Sequence, residues 1–284
     1  MIIYKNLNIK KKHQNSVVAI GNFDGLHIGH QKVLEEAKQK AKRKKLKFGL
    51  ITFEPVPTMF FNRNIKNHRI NSLNQKIYFL KKNKIDFLII INFNKTFSNL
   101  SAEEFIKKIL FKKIKSKYIF VSGNFKFGKK RIGSINTLIK FEKKYSYKTV
   151  VTAPQENKRK IVSSSLIRKT INKGRVRDAE KLLGRPWIVE GEVIKGAQRG
   201  REIGFPTCNL KLDSYILPKL GVYSVWVQIS NLKKKGIANI GYRPTFNGKN
   251  LLLEVNIFGL KRNLYKKILK ISFIKFIRAE KKFK

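Results

Sequence analysis

The sequence predicts an α/β protein in which a parallel sheet covered by helices is followed by a small antiparallel β-barrel. Apolar runs alternate with helical patterns up to about Gly184, and strand-like runs punctuated by glycine and proline follow it. The two patterns meet at Leu183–Trp187, where Gly184 and Pro186 interrupt the chain. We therefore predict two domains, residues 1–184 and 185–284.

The first half contains five apolar runs, which we predict to be buried strands: Val17–Ile20, Phe48–Phe53, Phe87–Ile91, Tyr118–Val121 and Thr149–Thr152. Helical patterns lie between them at His30–Arg43, Leu73–Lys82, Ala102–Phe111 and Ile135–Lys144. Ser72 with Gln75, and Ser101 with Glu104, have the spacing of a capping box. Strands that alternate with helices favour a parallel sheet with helices on both faces.

The second half shows strand patterns at Trp187–Val193, Gly221–Gln228, Gly236–Gly241, Leu251–Phe258 and Lys270–Phe276. No long helical pattern interrupts them. Short strands separated by glycine and proline are typical of a small antiparallel barrel.

Composition and local sequence patterns indicate where in the cell the protein is located. Hydrophobic residues make up 42% of the chain, enough for buried cores, and the longest apolar stretch, Phe87–Phe93, falls far short of the roughly 20 residues of a membrane span. Cys208 is the only cysteine, which excludes an intramolecular disulfide and a multi-cysteine metal site. The N-terminus shows no secretory signal pattern. We expect a cytoplasmic protein with no membrane partner, and the sequence leaves its oligomeric state open.

The first predicted strand runs into Gly21-Asn22-Phe23-Asp24-Gly25-Leu26-His27-Ile28-Gly29-His30 and then a helix. Glycines allow close approach of a ligand, and a helix N-terminus favours anions. His27 and His30 share one face of the first turn and suit charge that develops on a phosphate during transfer. The alternative is a strand–turn–helix junction with capping histidines. The other histidines, His13 and His68, stand alone, and we expect them at the surface.

A second polar motif is Ser163-Ser164-Ser165-Leu166-Ile167-Arg168. Serines at a helix start cap free N–H groups, so this segment alone is an ordinary N-cap or a ligand site with about equal weight. Arg168 offers a forked contact to phosphate oxygens.

In the second half, Gly196 and Gly200 lie in a glycine-rich segment that leads to Gly204-Phe205-Pro206-Thr207-Cys208-Asn209. Such a loop cradles phosphates with its N–H groups, or is only a flexible hairpin. Thr207 and Asn209 share one face of a strand and offer neutral oxygens. Because Mg²⁺ bound to ATP keeps several waters and the phosphates as ligands, this pair is an adequate magnesium site.

Glu254 interrupts an otherwise apolar strand and is the only acidic residue between Asp213 and Glu280. Acidic residues are scarce, 17 against 64 basic ones. A partly buried carboxylate is costly, so we expect Glu254 to act as a general base. The alternative is an idle residue at a half-exposed strand position.

The motifs at Gly21–His30 and Ser163–Arg168 resemble the HxGH and SSTxxR-type signatures of the nucleotidylyltransferase superfamily. With Arg69, Ser72–Lys76 and Gly123–Gly128 added, the first half resembles the adenylyltransferase module of bacterial bifunctional riboflavin kinase/FAD synthetases. The resemblance implies that ATP contacts Gly21, Phe23, Asp24, His27, His30, Ser164 and Arg168. It also implies that Asn124 lies near the flavin.

The second half resembles the riboflavin kinase domain through its GFPTxN motif, its Asn239–Phe246 segment and Glu254. Cys208 stands where that family usually has alanine. The resemblance implies ATP and Mg²⁺ binding at Gly196, Gly200, Thr207 and Asn209, with the substrates riboflavin, FMN and ATP and the products FMN and FAD. Family members continue past the final Arg278–Phe283 element into a helix; the sequence ends at Lys284, and we expect weaker kinase affinity and stability without it.

The formal net charge of +47 raises one rival function. Lysines are spread along nearly every segment, which is typical of solvated faces, with real attraction for nucleic acid as the alternative. An RNA-binding protein that reuses the nucleotidyltransferase fold would bind RNA with a steep salt dependence. The lysines do not alternate with stacking aromatics, so we expect no specific nucleic-acid partner. A second rival is an enzyme in which only one of the two activities is live.

Overall fold

The computed structural model describes residues 1–195, 206–212, 214–245, 248–260 and 262–280. Contacts divide the chain into two compact units. The first comprises Met1–Ile65 with Asn74–Val162, and the second comprises Lys66–Leu73 with Ser163–Lys284. The division of function at residues 184 and 185 stays a prediction.

The first unit is built on a six-stranded parallel sheet with the order β1-β4-β3-β2-β5-β6. The strands are β1 (Ile2–Tyr4), β2 (Val17–Ile20), β3 (Phe48–Glu54), β4 (Phe87–Asn92), β5 (Tyr118–Ser122) and β6 (Lys148–Thr152). The predicted parallel sheet is confirmed, since strands buried on both faces give continuous apolar runs. β1 was not predicted. A two-stranded hairpin follows, with β7 (Glu156–Asn157) and β8 (Lys160–Ile161).

Seven α-helices of this unit are described: α1 (Ile28–Lys44), α2 (Pro57–Phe61), α3 (Leu73–Lys82), α4 (Lys95–Ser98), α5 (Ala102–Glu104), α6 (Ile135–Lys140) and α7 (Glu142–Tyr145). Short 3₁₀ turns lie at Lys11–His13 and Lys129–Arg131, and a π-helix at Phe105–Lys113 continues α5. The Ser101–Glu104 capping box is confirmed by both of its hydrogen bonds. The helix predicted at 135–144 is two helices that meet at Phe141.

The expectation that His13 lies at the surface is wrong. His13 is 3% exposed and stacks on Phe87, with ring centroids 4.6 Å apart. The oxygen of Tyr4 accepts from the N–H of Lys10, so its own hydrogen is available to Nδ1 of His13 at 2.8 Å. Burial lowers the pKa of His13, with the charge of Lys12 acting in the same direction. β1 and the 3₁₀ turn, neither predicted, create this environment.

His13 makes stability depend on pH. A pKa lowered in the folded state contributes stability that is present above the ordinary histidine value of 6.5 and is lost as the pH falls below it. We expect the urea midpoint to fall between pH 7.5 and 5.5, and His13→Leu to reduce that fall relative to His68→Leu. Equal pH dependence in both variants would contradict this prediction.

The second unit contains a closed antiparallel barrel with the order β10-β13-β12-β11-β14-β9, in which β9 also pairs with β10. The strands are β9 (Trp187–Ile194), β10 (Thr207–Lys211), β11 (Gly221–Ile229), β12 (Leu232–Thr245), β13 (Gly248–Ile257) and β14 (Ile268–Arg278). The predicted barrel is confirmed. Its interior is filled by side chains, with Trp187, Tyr223 and Phe273 among the most buried.

Two helices and a short segment complete the second unit. Helix α8 (Ser164–Asn172) precedes α9 (Val176–Leu183), which contacts β9 and β14. The indole of Trp187 donates to the carbonyl of Ile70 at 3.0 Å, and the Ser214 carbonyl accepts from the N–H groups of His68 and Arg69. These bonds join the segment 66–73 to the barrel. Among the helices of the described ranges, none is both long and apolar enough to cross a membrane.

Candidate active sites

The turn between β2 and α1 brings the two motif histidines together. His27 is the N-cap of α1, and its Nδ1 accepts the backbone N–H of His30 at 3.3 Å. The two imidazole rings stack with centroids 3.6 Å apart and planes 21° apart. Since Nδ1 of His27 accepts, Nε2 carries the ring hydrogen. The capping interpretation is therefore confirmed for His27, and it leaves the imidazole a donor.

Glycine at position 29 leaves room for the ring of His27. A Cβ at Gly29 would lie 3.2 Å from Nδ1 of that ring, which is tighter than ordinary contact. The turn itself is unusual in its backbone: Phe23, Gly25 and Leu26 have φ of 46°, 85° and 41°. Asp24 is buried at 2% exposure within this turn. The sequence pattern His-x-Gly-His thus reflects ring packing at a helix start.

The topology places this turn where α/β sheets bind ligands. β2 pairs with β3 on one side and with β5 on the other, so the strand order reverses direction between β2 and β5. Ligands of open α/β sheets bind beyond the carboxyl ends of the strands at such a point. The histidine turn follows β2, and Asn124 follows β5, where its Oδ1 accepts the hydroxyl of Ser122 at 3.0 Å.

An aromatic row lies at the same edge of the sheet, and sequence reasoning missed it. Phe93, which follows β4, contacts the rings of Phe60 and Phe61 with centroids 5.3 and 5.7 Å away, and Phe61 is 67% exposed. Further ring contacts join Phe93, Phe97, Phe105, Phe127 and Phe125. The signal available in the sequence was a phenylalanine, Phe93, two residues beyond the predicted strand Phe87–Ile91.

Ser164 and Arg168 belong to the second unit, on α8. Ser163 is the N-cap, and its hydroxyl accepts the N–H of Leu166 at 3.2 Å, which confirms the capping interpretation. Nε of Arg168 donates to the carbonyl of His68 at 2.8 Å. This bond fixes the guanidinium against the segment 66–73.

Polar side chains line the outer face of the barrel across three adjacent strands. Glu254 of β13 lies directly opposite Asn209 of β10 and opposite Asn239 of β12. Leu253 and Val255, on either side of Glu254, are fully buried, so Glu254 points away from the interior. Thr207 shares the face of Asn209. The predicted site residues Thr207, Asn209 and Glu254 are therefore together on one surface.

Glu280 is a second carboxylate at this surface, and the sequence did not reveal it. Nδ2 of Asn239 donates to Oε1 of Glu280 at 3.3 Å. A Cβ at Gly241 would overlap the Glu280 carboxylate, so glycine at that position makes room for it. Two carboxylates therefore flank Asn239. By contrast, burial raises the pKa of Cys208, which favours the unreactive thiol.

The predicted phosphate-loop residues Gly196 and Gly200 lie outside the described residues. Within the described ranges there is no group of three or more His, Cys, Asp or Glu side chains arranged to hold a metal ion. The Thr207 hydroxyl, the Asn209 carboxamide and the Glu254 carboxylate are hard oxygen donors of the kind that Mg²⁺ prefers. Their chemistry fits an ion that arrives with nucleotide phosphates.

Fold and sites together define an enzyme that joins a nucleotide-transferring α/β unit to a kinase-like barrel. The FAD synthetase family model matches residues 9–166, and the riboflavin kinase family model matches residues 183–284. The chain belongs to the family of bifunctional riboflavin kinase/FMN adenylyltransferases. It phosphorylates riboflavin to FMN and adenylylates FMN to FAD, with ATP as the co-substrate.

Relatives of that name cover nearly the whole chain. The protein from Buchnera aphidicola subsp. Schizaphis graminum is 40% identical over 277 residues, 96% of this chain and 89% of the relative. The Haemophilus influenzae protein is 36% identical over 97% of this chain and 90% of its own length. A solved structure titled macrolide-efflux protein from Streptococcus pneumoniae has a TM-score of 0.87 at 31% identity, covering 99% of this chain and 92% of that one. The two proteins share their fold.

Proposed function

We propose that the two reactions use two separate sets of residues, one in the parallel-sheet unit with α8 and one on the barrel. The stacked pair His27 and His30 at the reversal of strand order is the observation that most supports the first assignment. The proposed domains are residues 1–184 for adenylyl transfer and 185–284 for phosphorylation, in accord with the matched ranges of the two family models.

In the adenylyl transfer, an FMN phosphate oxygen attacks the α-phosphorus of ATP and pyrophosphate leaves. We assign the binding of ATP to Gly21, Phe23, Asp24, His27, His30, Ser164 and Arg168. The imidazole N–H of His27 is a preorganised donor for charge that develops on the phosphate oxygens. Arg168, held by its bond to His68, adds a fixed positive charge.

The aromatic row is the proposed platform for the flavin of FMN, with Asn124 beside it. A flat ring system stacks on exposed aromatic faces, and Phe61 presents such a face at the ligand edge of the sheet.

Removal of this face should weaken FMN binding. Stacking on an aromatic side chain is worth about 1–3 kcal/mol, so Phe61→Ala should raise the KM for FMN roughly 10-fold in FAD synthesis. The KM for riboflavin in the kinase reaction should not change. Phe111→Ala is the matched control, since Phe111 is also an exposed aromatic of this unit but contacts Tyr145. An unchanged KM for FMN in Phe61→Ala would remove Phe61 from the site.

In the kinase reaction, Glu254 is the proposed general base for the ribityl 5′-hydroxyl of riboflavin. The Asn209 and Asn239 amides on the neighbouring strands flank it. Thr207 and Asn209 would hold Mg²⁺, and Gly196 and Gly200 would contact the phosphates. When bound, Mg²⁺ offsets negative charge on the transferred phosphoryl group.

We place both reactions in the cytoplasm, where ATP is available and where a chain with one cysteine needs no disulfide. Chromatography of the products tests the proposed function: riboflavin, ATP and Mg²⁺ should yield FMN first and FAD later. EDTA should stop both products. FMN formation that persists in excess EDTA would contradict the magnesium assignment.

A further inference from the structure

Lys76 of α3 is buried, and none of the assignments above uses it. Its side chain is 2% exposed, which is rare for lysine. The ammonium donates to the carbonyl oxygen of Asn22 at 2.9 Å and to Oγ1 of Thr52 at 3.4 Å. The Thr52 hydroxyl, itself fully buried, donates to the same carbonyl at 3.1 Å. Two donors from α3 and β3 thus converge on one peptide group of the β2–α1 turn.

The contacts also fix the direction of a backbone donor. A trans peptide is planar, and its C=O and N–H point in opposite directions. Because the Asn22 carbonyl is held toward Lys76 and Thr52, the N–H of Phe23 is held away from them. Phe23 has φ of 46°, and Gly25 and Leu26 also have positive φ. Turns with such residues form concave nests of N–H groups that bind anions.

We propose that Lys76 is a positioning residue for adenylyl transfer. It holds the Asn22–Phe23 peptide so that the turn presents the N–H of Phe23 to the ATP phosphates. This inference rests on the proposed assignment of the Gly21–His30 turn to ATP.

Lys76→Met tests the proposal, because methionine keeps the length of the side chain but removes the charge and the donors. Misplacement of binding groups by about 1 Å costs up to roughly 10²-fold in rate. We expect kcat/KM for ATP in FAD synthesis from FMN to fall about 10- to 100-fold. FMN affinity and FMN production from riboflavin should stay within about twofold of wild type. Lys76→Arg should recover part of the loss, and Lys81→Met, an exposed lysine of the same helix, is the control.

A purely structural role predicts another result: loss of ATP and FMN binding together, in proportion to the unfolded fraction measured by circular dichroism. That result, or near-normal ATP kinetics in folded Lys76→Met, would overturn the proposal. If Lys76→Met does not fold, Thr52→Val removes the second donor, and a several-fold rise in the KM for ATP supports the proposal while an unchanged KM overturns it. His30→Ala distinguishes a failure of the Lys76 proposal from a failure of the proposed function. If His30→Ala also leaves FAD synthesis intact, the assignment of the Gly21–His30 turn to ATP is wrong.

Discussion

His27→Asn should abolish most FAD synthesis while it preserves the fold and FMN formation. Asparagine is among the best N-cap residues, so it can keep the cap that Nδ1 of His27 makes with the N–H of His30. What it removes is the imidazole Nε2–H. Loss of one preorganised donor to developing charge costs about 10²–10³-fold in rate. We expect a fall of this size in the rate of FAD formation from FMN and ATP.

His27→Ala is the informative companion, because it removes the ring and the cap together. It should lose activity to the same extent and also lose about 1 kcal/mol of stability. If His27→Asn retains near-normal FAD formation, the histidine serves α1 as a cap and has no part in the chemistry. Equal loss of FMN and FAD formation would show a general folding defect.

Glu254→Gln should reduce FMN formation strongly and leave FAD formation from supplied FMN unchanged. Glutamine keeps the shape between Asn209 and Asn239 but removes the basic oxygen. Positioned proton transfer is worth about 10²–10⁴-fold, and the lower half is the better expectation because phosphoryl transfer depends mostly on positioning and metal. The KM for riboflavin should change little. Glu180→Gln, on α9 of the same unit, is the control.

Glu280 makes a double variant necessary. Its carboxylate reaches Asn239, the neighbour of Glu254, and is therefore the group that could replace the missing base. If residual activity in Glu254→Gln disappears in Glu254→Gln/Glu280→Gln, Glu280 has taken over the proton. Near-normal FMN formation in the double variant would remove both carboxylates from the mechanism.

The sequence predicted the interior strands well because strands buried on both faces give continuous apolar runs. Val17–Ile20 and the helix Leu73–Lys82 have the predicted bounds. β1 has only three residues and gave no comparable signal. The order of the strands depends on long-range pairing, so the reversal between β2 and β5 had to come from the structure.

The candidate sites, like the fold, could be predicted only in part from the sequence. Residues that are close in sequence, such as His27 and His30, could be grouped from their spacing alone. Groups assembled by strand pairing could not, and the contact between Glu280 and Asn239 is an example. Lys76 shows a different failure: it lies in the Ser72–Lys76 segment that resembles the family, but in a chain with 64 basic residues nothing in the sequence showed that this lysine is buried.

The central claim is that two independent sites act in succession, and a complementation assay tests it most directly. His27→Asn and Glu254→Gln are each incubated with riboflavin, ATP and Mg²⁺, separately and mixed, and FAD is measured by chromatography. We expect little FAD from either variant alone, FMN accumulation with His27→Asn, and FAD formation in the mixture, because FMN released by one protein is adenylylated by the other. A mixture of folded variants that makes FMN but no FAD would contradict the account.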